Sequence, residues 1–288
     1  MSRGDRFLAI LVAVLWGCNF IAIHVGLEHF PPLFFAGLRF AVLAVPTVLL
    51  LPRPGVPWRW VLGYGLGFGG VQFAFLFLAM DNGMPAGLAS LVLQASAPFT
   101  VVLGVLLLGE QLTARQLAGI LLAILGMAGI GLHRSQTAAA LPVLLILVGA
   151  LGWAFGNLSA RLARSSDPLL LVLWMSVVPP LPMFALSAWQ EGPATGWNAL
   201  VAAAQGAAWP AVAALLYIAV LASVLGGGIW TTLLRRHPAG VVAPYSLLVP
   251  VVGILAAWVA LGEQPVLLEV LAGAAVVGGV LLGTPAST

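Results

Sequence analysis

Apolar runs of about 18–22 residues recur along this chain, each long enough to cross a hydrocarbon core of about 30 Å as a helix. Unpaired backbone groups are costly in lipid, so a crossing segment must be a helix or part of a closed barrel. The runs are continuous rather than alternating, which selects helices. Composition agrees: 62% of residues are hydrophobic and 7% charged, where a soluble domain carries about a quarter charged. The chain is read as an all-α membrane protein.

Turn formers divide the runs. "HFPP", "PRPGVP", "DNGMP" and "SSDP" fall between them, and helices are expected at 7–26, 33–51, 58–80, 85–108, 114–132, 140–162, 168–189, 210–233, 238–261 and 266–283. The break at 190–210 has room for a short surface helix. The first run follows Arg3 and Arg6 but is too long for a signal-peptide core and lacks a small-x-small cleavage site. It is expected to stay as the first of ten membrane helices. Cys18 is the sole cysteine, so no intramolecular disulfide can form.

All 11 basic residues are arginines. With the N-terminus cytoplasmic, Arg3, Arg6, Arg53, Arg59, Arg115, Arg161, Arg164, Arg235 and Arg236 fall inside and only Arg134 outside. Both termini are therefore expected in the cytoplasm. Because these arginines flank membrane helices, the basic pI calls for no nucleic-acid partner.

One segment is written twice. Residues 84–111 read "MPAGLASLVLQASAPFTVVLGVLLLGEQ", and residues 237–264 read "HPAGVVAPYSLLVPVVGILAAWVALGEQ". The first copy runs inward and the second outward, as an odd number of helices per half requires. Residues 1–137 and 138–288 are accordingly expected to form two inverted five-helix repeats. Trp16 and Asn19 in the first helix match Trp153 and Asn157 in the sixth, and Tyr64 and Tyr217 each lie 21 residues before the proline that opens their copy. Repeats of this kind place a substrate near the midplane and work by alternating access.

Ten helices in inverted repeats, an early "LWGCNF", "GLRF" in the second helix and "LGEQ" after the fourth and ninth resemble the EamA family of the drug/metabolite transporter superfamily. The resemblance covers essentially the whole chain, and within the family it is most similar to the YddG-type exporters of aromatic amino acids. It implies a multi-pass bacterial inner-membrane exporter of amino acids or other small metabolites. The chain departs from an even duplication at one point: Met175 stands in the seventh helix where the first repeat has Arg39.

Pro98 and Pro250 lie mid-helix, where proline frees the carbonyl four residues earlier. Those carbonyls belong to Gln94 and Ser246, so each copy holds a candidate hinge beside a polar side chain. A static kink is the plainer alternative. Asn19, Gln72, Gln94 and Asn157 are polar in hydrocarbon and are expected to face the bundle interior. Trp16 shares a helix face with Asn19, and Trp153 with Asn157. An aromatic beside an amide suits a zwitterion with a large apolar side chain, although helix–helix hydrogen bonding explains the amides equally. Phe68, Gln72 and Phe75 form a stripe with Tyr64 on the third helix, and Trp230 and Tyr245 are further aromatic candidates. Packing is the favoured reading of the glycines in "YGLGFGGVQF" and of Gly226 to Gly228.

Arg39 is the one charge clearly inside a span. It is expected to snorkel outward or to pair with Glu28 or Asp81, or else to attract a substrate carboxylate. The resemblance favours a structural role, since this arginine is a family feature across diverse substrates. Glu110 and Glu263 each follow a glycine that can end one helix and are expected to cap the start of the next. All eight acids lie at helix ends or in loops, so strong proton coupling is not expected. Zinc, nucleophile-elbow and phosphate-loop motifs are missing, which leaves an intramembrane enzyme a distant alternative. The expected activity is export of amino acids with large apolar or aromatic side chains, with no metal or cofactor. A multidrug or other-metabolite exporter of the same fold is the alternative. The expected partners are a small-molecule substrate and the lipid bilayer. The oligomeric state stays open, since Gly279 suits a dimer face or internal packing alike.

Overall fold

The computed structural model describes residues 1–111, 113–135, 140–206, 208–237 and 242–283, and every regular element among them is helical. In chain order these are α1 (Arg3–Leu27), α2 (Pro32–Leu50), α3 (Trp58–Asp81), α4 (Ala86–Leu108), α5 (Ala114–Ser135), α6 (Ala140–Ala163), α7 (Pro168–Gln190), α8 (Thr195–Ala204), α9 (Trp209–Leu234), α10 (Leu248–Leu261) and α11 (Leu267–Gly283). Seven of them, α1 to α4, α6, α7 and α9, are long and apolar enough to cross a membrane. The apolar parts of α5, α10 and α11 are shorter among the described residues. The expected start of the ninth span, at 238–241, and the expected junction between the halves at 137/138 lie outside the described residues. The 190–210 break does hold a short helix, α8, on which Trp197 is exposed.

Four expected spans depart in part from plain α winding, and a fifth is broken. The expected continuous helix over 168–189 stops at Met175 and resumes at Pro180. Pro179 and Pro180 cannot donate the hydrogen bonds an unbroken helix needs, and the amides of Ser176, Val177 and Val178 reach back only three residues. In α3, residues Gly65–Gln72 are wound as a π-helix, and in α9 residues Tyr217–Gly226 are too. The π segments begin at Gly65 and Tyr217, beside the two tyrosines that the duplicated spacing singles out. Ahead of the mid-helix prolines the chain tightens to 3₁₀ winding, at Leu93–Ala95 before Pro98 and at Ala243–Leu247 before Pro250. Each copy then ends on a left-handed glycine, Gly109 or Gly262, where a side chain would be strained.

The helices interlock across the chain's length. Helix α1 lies against α9 and α10, α6 against α3 and α4, α2 against α7, and α5 against α11. Small residues set these approaches. A Cβ at Gly17 would fall 2.6 Å from Val252 of α10, and one at Gly67 2.8 Å from the Gly152 carbonyl of α6. A Cβ at Gly279 would fall 2.5 Å from the Gly119 carbonyl of α5, which assigns that glycine to packing inside the chain.

Candidate functional site

Arg39 on α2 is 5% exposed, and it neither snorkels outward nor pairs with Glu28 or Asp81. Among the described residues it makes no ion pair; Glu28 faces His24 instead, at 3.8 Å. Its Nη2 donates to Ser223 Oγ at 3.1 Å, and that hydroxyl donates to the Ile218 carbonyl, five residues back in the π segment of α9. The guanidinium carbon stands 3.8 Å from the ring centre of Phe73, the first residue after the π segment of α3. Arg39 thus joins the two π-wound stretches. Its Nε and Nη1 are buried without a protein hydrogen-bond partner. Removing an arginine charge from water costs several kcal/mol. One hydrogen bond and the cation–π contacts with Phe73 and, at 5.4 Å, Phe40 return about 2–5 kcal/mol together.

The aromatic candidates fall into two groups rather than one. Phe73 leads to Phe68 at 5.5 Å, and Phe68 to Trp153 at 5.8 Å and Tyr64 at 5.4 Å, so this group is continuous with Arg39. Gln72, in the same turn of α3, is buried with Oε1 lacking a partner, while Gly149 of α6 packs on its backbone and near Phe75. In the other group Trp16 donates from Nε1 to the Ala222 carbonyl at 2.9 Å and stands 5.2 Å from Trp230. Trp230 and Tyr245 pack together on Ala9, Leu233 and Val242.

The amides divide too. Asn19 is buried with Oδ1 unpartnered, whereas Asn157 donates to Thr100 of α4 at 3.2 Å, the helix–helix bond that was the plainer reading. Gln94 and Ser246 are half-buried within the tightened turns, and Pro98 and Pro250 are buried. The glycine run of α3 is a packing face: a Cβ at Gly65 or Gly69 would meet Val178 or Pro179 of the broken α7. Gly227, by contrast, has nothing within 4 Å of where its Cβ would lie. Sequence reasoning passed over Ser223 and Phe73, although the tyrosine match pointed at their segments.

The acids serve helix ends, but not the ends expected for them. Glu263 does not cap the helix after it; its carboxylate accepts from the Ala86 and Gly87 amides of α4, at 2.7 and 3.0 Å. Glu191 likewise accepts from Leu33 and Phe34 at the start of α2. Glu110 pairs with Arg161 in the last turn of α6. A cleft of about 130 Å³ beside Glu263 is lined by Leu88, Leu91, Ile254 and Glu269. It is smaller than the roughly 300 Å³ at which ligand pockets begin.

A bundle with seven helices long and apolar enough to cross a membrane defines a multi-pass membrane protein, and Arg39 is buried inside it without an ion pair among the described residues. Residues 6–132 and 140–284 each match the EamA-like transporter family, and the chain belongs to that family. It is 44% identical over 290 residues to a probable amino-acid metabolite efflux pump of Escherichia coli strain K12, covering 99% of this chain and 94% of the relative. A probable terminal-alkyne amino-acid exporter of Streptantibioticus cattleyicolor is 30% identical over 286 residues, covering 95% and 91%. An inner membrane transporter of Escherichia coli, YedA, is 25% identical over 288 residues, covering 94% and 87%. A solved crystal structure aligns over 99% of this chain and 97% of its own with a TM-score of 0.54 at 21% identity, a likeness of fold. The protein is a multi-pass bacterial inner-membrane protein.

Proposed function

We propose that this chain exports amino-acid metabolites bearing large apolar or aromatic groups, by alternating access between two inverted five-helix halves with both termini in the cytoplasm. The relatives named above as probable amino-acid exporters support the class of substrate. The observation that carries the reading is Arg39, buried with two donor atoms unmet and flanked by Phe73, Phe68 and Trp153. A carboxylate would satisfy the donors while an apolar side chain lies along the rings. The paired π segments, 3₁₀ turns and prolines support the inverted repeat, with Pro98 and Pro250 as hinges. Transport runs down the substrate gradient without strong proton coupling.

The test is efflux from proteoliposomes preloaded with aromatic amino acids and their derivatives, against protein-free vesicles and with or without a pH gradient. Release of aromatic carboxylates above the protein-free rate, unchanged by the gradient, is the expected outcome. Release of lipophilic cations alone would replace this substrate class with a drug exporter's.

A further inference from the structure

We infer that Arg39 makes this transporter prefer carboxylates that lack a free ammonium group, such as N-acylated or deaminated amino acids, over the zwitterions themselves. This rests on the proposed reading of the chain as an amino-acid-metabolite exporter and narrows its substrate. A zwitterion brings a cation into the site along with its carboxylate, and that cation needs an acid to receive it. All eight acids have posts elsewhere. Asp5 is held by Ser2, Arg236 and His237, and Glu28 faces His24. Glu110 pairs with Arg161, and Asp167 caps α7. Glu191 and Glu263 hold the starts of α2 and α4. Asp81 is exposed at the end of α3, and Glu269 lies in the first turn of α11 beside the small cleft.

The aromatic path from Arg39 to Trp153 thus offers rings and the neutral Oε1 of Gln72, but no carboxylate. An amide oxygen receives the N–H of an acylated amine or the O–H of a hydroxy acid well. It does not neutralise an ammonium, which would in addition sit near the guanidinium and be repelled by it. A monoanion meets one uncompensated cation and leaves the buried site neutral.

The decisive experiment is efflux of phenylalanine, N-acetylphenylalanine, 3-phenyllactate and phenylalaninamide from vesicles carrying the full chain, each corrected for protein-free leak at neutral pH. N-acetylphenylalanine and phenyllactate are expected to leave at least tenfold faster than phenylalanine, with the amide at background. Phenylalanine leaving as fast as its N-acetyl derivative would overturn the inference and leave the exporter reading standing. No release of any of the four would overturn the exporter reading itself. Arg39→Gln should erase the preference for the anions. Keeping the tenfold ratio in that variant would remove Arg39 as its source. Should the variant fail to fold, the melting temperature of the unaltered protein decides: N-acetylphenylalanine should raise it, and an equal rise with phenylalaninamide would sink the idea.

Discussion

The contact of α6 on α3 and the contact of α1 on α9 join helices that the proposed repeat makes equivalent, yet they are built from different chemistry. On the α6 side, backbones touch: Gly67 meets Gly152 and Gly156, and Phe68 and Val71 lie on the same glycines. Of the two amides there, Asn157 is satisfied by Thr100 and Gln72 keeps an unmet oxygen. On the α1 side, Trp16 and Tyr217 supply hydrogen bonds to carbonyls of the opposite helix, Gly227 stands in open space, and Asn19 keeps an unmet oxygen. The α6 contact is a seam of backbone on backbone, and the α1 contact is held by side-chain hydrogen bonds beside an open face at Gly227; each keeps one unmet amide oxygen. Arg39 touches both pairs, through Ser223 of α9 and Phe73 of α3.

The largest break in this comparison comes from glycine. In Gly152→Val the new Cβ would sit 2.7 Å from Val71 and 2.8 Å from the Gly67 carbonyl, and backbone cannot yield as a side-chain tip does. Overpacking of this kind costs about 1–3 kcal/mol or more, so the detergent-purified variant should melt well below the parent. Gly227→Ala meets nothing within 4 Å and removes a poor helix former. It should melt at the parent temperature or up to about 1 kcal/mol more stably. Equal losses in the two variants would erase the distinction between seam and open face.

Next in size is the cap that ties α4 to the segment after α10. Glu263→Ala strips two amides of their acceptor and should cost about 1–2 kcal/mol, read as an earlier thermal transition. The amides follow as a crossed pair. Asn157→Ala should lose about 0.6–1.7 kcal/mol of stability and keep its efflux rate, because it breaks a bond between helices. Asn19→Ala removes an unsatisfied buried oxygen and should keep its melting temperature while efflux falls severalfold. The reverse pattern would make Asn157 the amide that meets substrate and Asn19 the one that only holds helices together.

Most of the helices could be read from the chain because a bilayer leaves an apolar run few alternatives, and run length alone then fixes a span. What escaped was winding and breakage inside a run. The apolar tract through Val177, Val178 and Leu181 hid the stop that Pro179 and Pro180 impose on α7, since hydropathy averages over prolines. A π segment adds no polar residue and shifts no boundary, so nothing in residues 65–72 or 217–226 announced it beyond the glycines. Arg39 was visible as a charge in a span, but its partner Ser223 is an ordinary small residue 184 positions away. The acids were recognisable as caps. Which helix each caps depends on packing between distant segments, and Glu263 reaches back 177 residues to Ala86.

The smallest expected effect is the one that tests transport without protons. Glu269 lies in the first turn of α11 and is 4% exposed, the most enclosed acid among the described residues. Enclosure is the property that proton carriers give to an acid. Its surroundings argue for another role: it neighbours the capping Glu263 and Leu91, and its Oε2 accepts from the Val266 amide at the head of its own helix. A carboxylate there favours the positive end of α11, an effect worth about 0.3–1 kcal/mol. Glu269→Gln keeps the shape and most of the hydrogen bonding, so it should lower the melting temperature slightly and leave efflux within about twofold at every pH. If instead the parent accumulates substrate against a gradient when only a pH difference is imposed, and Glu269→Gln abolishes that accumulation, the cleft beside Glu263 is a proton site. The seam and the open face would then be two sides of a driven carrier.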